Sequence, residues 1–112
     1  MEYHPDKWVV IKITSEKGVH YRVFATWLGG FTSGDSWKMN SGITKVESKD
    51  NYINFYGVSG SVYCVRKECY GMSSYSRSVL KQLQETSTRL NIEIMGEDTN
   101  WHFLRLIHEC SS

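Results

Sequence analysis

The spacing of apolar residues changes at Gly71, and that change limits the fold more than any other feature. Before Gly71, apolar and polar residues alternate in short runs broken by glycine. Lys7–Ile13, KWVVIKI, is rich in β-branched residues and reads as a strand. Val19–Leu28 has a period of two, with Val19, Tyr21, Val23, Ala25 and Trp27 on one face. Ser15–Gly18 lies between these runs as a turn, so the pair predicts a hairpin. Ser36–Ile43 predicts a short strand with Trp37, Met39 and Ile43 on one side, continued by Thr44–Glu47 past a kink at Gly42. Tyr52–Tyr56 and Ser61–Lys67, joined by Gly57–Gly60, form the clearest predicted hairpin.

After Gly71 the spacing becomes helical. Val79, Leu80, Leu83 and Leu90 lie on one stripe and Ser74 or Ser76 can cap it, which predicts a helix over 75–90. Ile92–Met95 alternates again as a strand, and Trp101–Cys110 fits either a helix or a strand. The expectation is one α+β domain spanning 1–112. Its core element is a curled antiparallel sheet, or a small partly open barrel, of about five to six strands with one main helix packed against it.

Composition removes several functions. A formal net charge of +1 is not that of a strongly basic nucleic-acid binder, though a local patch is compatible with it. No apolar run reaches the roughly 18 residues that would span a membrane. The start, MEYHPDKW, reads as neither a signal nor a transit peptide, so the expected compartment is the cytoplasm. Three cysteines cannot all pair within one chain, and reduced thiols are expected.

No constellation of catalytic or metal-binding residues stands out. Cys64 and Cys69 have C-x4-C spacing and could join His102, His108 or Cys110, but zinc needs about four converging ligands and the H-x5-H spacing of His102 and His108 is not a favoured pair. Sharing a face with Val62, Cys64 is expected to be a core thiol. His108 and Cys110 are the only neighbouring cysteine and histidine, in a tail poorly suited to a preorganised site. The glycines at Gly29–Gly34 and Gly57–Gly60 precede strands, whereas phosphate cradling needs a helix start. Asp35 has no identifiable second carboxylate and reads as a turn former. Neither an enzyme nor a cofactor is therefore expected.

Two binding readings remain. Thr26–Gly42, TWLGGFTSGDSWKMNSG, concentrates aromatics among glycines, and interfaces favour Trp, Met and Arg. Trp27, Phe31, Asp35, Trp37 and Met39 are the candidate contacts for a protein partner, with Trp37 and Met39 inward and Phe31 outward. The alternative is a small-barrel nucleic-acid binder that stacks bases on Tyr52, Tyr56 and Tyr63 beside Arg66 and Lys67. Sequestration of a signalling nucleotide between aromatics is a third class.

At GDSWKMNSGI (Gly34–Ile43) and YGVSGSVYCV (Tyr56–Val65) the chain resembles a group of small, largely uncharacterised accessory proteins of tailed bacteriophages. The resemblance runs from Trp8 to Gly71. It rests on element order: a W-V-V-I strand, an aromatic-glycine loop ending in G-D-S-W, then N-S-G-I, then Y-G-x-S-G-S-x-Y. It implies a non-enzymatic protein that binds and inhibits a host factor, such as a CRISPR-type defence complex or the transcription machinery. It transfers no functional residues.

Overall fold

In the computed structural model, which describes residues 1–29 and 34–103, the strands form two sheets of four. In chain order they are β1 (Glu2–Tyr3), β2 (Lys7–Ser15), β3 (Gly18–Trp27), β4 (Ser36–Met39), β5 (Ile43–Lys49), β6 (Tyr52–Gly57), β7 (Val62–Arg66) and β8 (Asn91–Ile94). The one α-helix among the described residues, α1, spans Ser74–Thr86, between β7 and β8. Sheet I has the order β4-β3-β2-β8 and sheet II the order β1-β7-β6-β5. The pairing is antiparallel throughout except where β1 runs parallel to β7.

The α+β class and the helix against a sheet follow the sequence, but the strands are more numerous than expected and divide between two open sheets. The division occurs at the predicted kink. Asn40, 1% exposed, clamps the last rung of sheet I: its N–H donates to the Val23 carbonyl and its Oδ1 accepts from the Val23 N–H. Gly42 then adopts φ +127°, which a side chain would resist, and Ile43 begins sheet II. One predicted strand with a kink is thus two strands in different sheets. β1 is only two residues long and carries no periodicity to read.

Three layers result. Trp8, Val10, Val23 and Ala25 on one face of sheet I meet Ile43, Ile53, Phe55, Tyr63 and Val65 of sheet II. Val9, Ile11, Ile13 and Phe24 on the other face pack with Ile92 and with Leu80 of α1. Trp8 is the keystone of the inner core. Its ring meets Phe55, Tyr70 and Trp101 at 4.6–5.7 Å, and its Nε1 donates to the Arg66 carbonyl at 2.6 Å, tying sheet I to sheet II.

The helix cap lies one residue before the earlier of the two predicted caps, Ser74 and Ser76. Ser73 is the N-cap, and Ser73 and Ser76 satisfy each other's backbone N–H groups in a capping box. It ends at Thr86, where Thr86, Ser87 and Thr88 are poor helix formers. Leu90 therefore falls outside the stripe and stands 40% exposed. Trp101–Phe103 is a single 3-10 turn; the remainder of that ambiguous stretch lies outside the described residues. Among the described residues no helix is long and apolar enough to cross a membrane.

Candidate binding surfaces

Strand alternation sorts the candidate residues. β4 pairs with β3 so that Trp37 stands opposite Thr26 and Met39 opposite Phe24, while Trp27 stands opposite Ser36. Trp37 and Met39 therefore lie on the helix-covered side of sheet I, and Trp27 on the side facing sheet II. The expected single anchor cluster is divided between two faces. Trp27 is half-buried against Tyr3, and its Nε1 donates to the His4 carbonyl at 3.1 Å. Lys38, on the same side as Trp27, places its ammonium 5.3 Å from the Tyr3 ring.

Trp37 does not turn inward as expected. Its ring packs on Phe24, with centroids 5.4 Å apart and planes at 32°, yet 38% of the residue is exposed. It sits on β4, which among the described residues is an edge strand with no further strand beside it. Met39 is half-buried against the outer core, as the inward reading required, and Asp35 is half-buried at the start of the strand. Leu28, just past the end of β3, is 48% exposed. Phe31 lies outside the described residues.

The outer face of sheet II carries a second set. Across the strands, Lys49, Tyr52 and Arg66 form one row, and Lys45, Tyr56 and Val62 another. The Arg66 guanidinium lies 5.9 Å from the Tyr52 ring and the Lys45 ammonium 5.1 Å from the Tyr56 ring, both within cation–π range. Between the rows sit Glu47, Asn54 and Cys64. The Tyr56 hydroxyl donates to Glu47 at 2.6 Å. That bond, reinforced by Lys45 and Lys49, holds the Glu47 carboxyl below its ordinary pKa, and the same bond raises the Tyr56 hydroxyl.

Tyr63 does not belong to this face. It points the other way, into the core, and is 1% exposed, so it cannot stack on a base. Cys64 is correspondingly not a core thiol: it sits half-buried on the outer face beside Val62 and Arg66, with its pKa raised chiefly by desolvation. β7 carries apolar residues at both parities, and the partner strand decides between them by placing Phe55 opposite Tyr63. Lys67 has left the strand for a 3-10 turn, Lys67–Cys69, and borders a different cavity beside Tyr70 and Trp101. Lys45 and Lys49, which the sequence reading passed over, complete the basic rows; the K-x-E-x-K alternation of Lys45–Lys49 is the signal that places them there.

Among the described residues no three His, Cys, Asp or Glu side chains converge on a common point. His108 and Cys110 lie outside the described residues. Comparison of the chain with protein-family models, with curated proteins and with solved structures returned no match.

Proposed function

We propose that this chain is a non-enzymatic binding protein of a tailed bacteriophage, acting in the host cytoplasm by covering a surface of a host protein. The host protein would belong to a CRISPR-type defence complex or to the transcription machinery. The observation that carries the binding part is Trp37, an aromatic packed against Phe24 while more than a third of it faces solvent. A preorganised ring loses little side-chain entropy on docking, which is the property shared by most interface anchors. It stands on the four-residue strand β4, which among the described residues is an edge strand of sheet I, and such an edge can accept an extended segment of a partner as an added strand. The exposed Leu28 and the half-buried Met39 offer further apolar surface nearby. The phage context comes from the resemblance in Trp8–Gly71.

The test is capture from host lysate with mass spectrometric identification, run with the native chain, Trp37→Ala and Tyr52→Ala. One host protein retained by the native chain and Tyr52→Ala, but weakened by about 2 kcal/mol or more in Trp37→Ala, is the expected result. Equal retention by a folded Trp37→Ala removes the assignment of β4 as the contact.

A second reading, single-stranded nucleic-acid binding, is favoured by one arrangement. Tyr52 is 42% exposed and flanked in register by Lys49 and Arg66, an aromatic platform between two cations. Glu47 on the same face works against it. Binding of this kind weakens steeply with salt, so a titration of single-stranded DNA and RNA at two ionic strengths separates the two readings.

A further inference from the structure

At the turn end of the β2–β3 hairpin, a cleft of about 390 Å³ opens between the hairpin and the passage from sheet I to sheet II. Lys17, Val19, His20, Arg22 and Ser41 are among its lining residues, and none of the lining residues is acidic. Arg22 is half-buried there. Its Nε donates to His20 Nε2 at 3.1 Å, and one terminal nitrogen lies 4.0 Å from Met39 Sδ, a weak acceptor. Among the described residues, no carboxylate pairs with Arg22.

A guanidinium carries five N–H donors, and withdrawing it from water without acceptors is unfavourable. Among the described residues, the fork meets only His20 and Met39, and His20 fixes its direction. By accepting from Arg22, His20 holds its proton on Nδ1 and stays neutral; burial first, and Arg22 second, lower its pKa. Lys17 brings a second cation from the turn. Val19, 36% exposed, gives the cleft an apolar wall.

We propose that this cleft binds a phosphate-bearing small molecule, with the Arg22 fork on the phosphate oxygens and Lys17 as the second positive charge. A forked guanidinium matches phosphate geometry, and the cleft's volume lies in the small-molecule range. The site adjoins the Trp37 surface through the Arg22–Met39 contact, but none of its lining residues belongs to that surface, and it does not depend on the partner proposed there.

The experiment is an amide and arginine-Nε NMR titration of the labelled chain with inorganic phosphate, AMP and adenosine, against sodium chloride at matched ionic strength. Phosphate and AMP are expected to shift Gly18, Val19 and the Arg22 Nε, with adenosine and chloride inert. Arg22→Gln should weaken AMP about tenfold or more, and Lys17→Ala less. Arg22→Lys, which keeps the charge and loses the fork, should fall between native and Arg22→Gln. Three results would each overturn the proposal: shifts equal to those from chloride, adenosine binding as well as AMP, or Lys17→Ala and a folded Arg22→Gln both titrating like the native chain. A single-stranded oligonucleotide shifting these resonances at lower concentration than AMP would overturn the small-molecule assignment.

Discussion

Among the described residues, sheet I is covered on both faces, by sheet II and by the helix layer, whereas sheet II is covered on one. The sequences differ accordingly. β2 of sheet I reads KWVVIKITS, with Trp8, Val9, Val10 and Ile11 all buried in succession. β6 of sheet II reads YINFYG, with Ile53 and Phe55 buried and Tyr52, Asn54 and Tyr56 left outside. A strand buried on two sides is apolar at every position; a strand buried on one alternates. The surfaces available for binding are consequently the outer face of sheet II and the margins of sheet I, at β4 and at the β2–β3 turn.

The comparison makes unequal demands on substitutions, and the largest falls where the layers meet. Trp8→Ala deletes a 1%-exposed ring that touches Phe55, Tyr70 and Trp101 and leaves the Arg66 carbonyl without its donor. A loss of about 3–5 kcal/mol is expected in urea melts. Leu80→Ala, which thins only the helix layer, should cost about 2–4 kcal/mol. If Leu80→Ala proved nearly silent, sheet I would behave as a one-sided sheet and the three-layer description would fail.

Much of this was legible before the structure. The β2–β3 hairpin, the β6–β7 hairpin and the apolar stripe Val79, Leu80, Leu83 all follow from local periodicity. Apart from the helix end and the two-residue β1, the failures share one cause, which is that parity does not say which face is inside. Tyr63 and Val65 compete with Val62 and Cys64 for the core, and only the register of β7 on β6 together with the packing of sheet II on sheet I selects the first pair. The division at Gly42 is of the same kind, since a glycine reads as a kink whether the chain stays in its sheet or leaves it. The β2–β3 cleft was invisible because Lys17 and Ser41 are brought together only by the two sheets.

Tyr63 offers a way to sharpen the inside–outside assignment by pH. Its hydroxyl is pushed up to about 12, by burial first and by the neighbouring Tyr3 second. The folded value exceeds the unfolded one of about 10, so the folded chain holds this proton more tightly. The stability it contributes is intact below about pH 10 and is lost as pH rises through about 12. Denaturant melts across that window should show a fall in the native chain that is smaller in Tyr63→Phe. An equal fall in both would place the Tyr63 hydroxyl in water.

The smallest effect is expected on the outer face of sheet II. Tyr52 is 42% exposed, and its partner Arg66 reaches it through solvent-facing atoms. Surface substitutions away from caps and cores typically stay within about 0.5 kcal/mol, and an exposed cation–π contact adds about as much again. Tyr52→Ala should therefore change the melting midpoint little. Any large effect of Tyr52→Ala must then appear in binding, which is what distinguishes the two proposed surfaces. Loss of nucleic-acid affinity in Tyr52→Ala with stability retained would move the function to sheet II; unchanged capture of a host protein would leave it at β4. A stability loss as large as that of Leu80→Ala would mean that the outer face of sheet II is covered after all, and that the two sheets differ less than their sequences do.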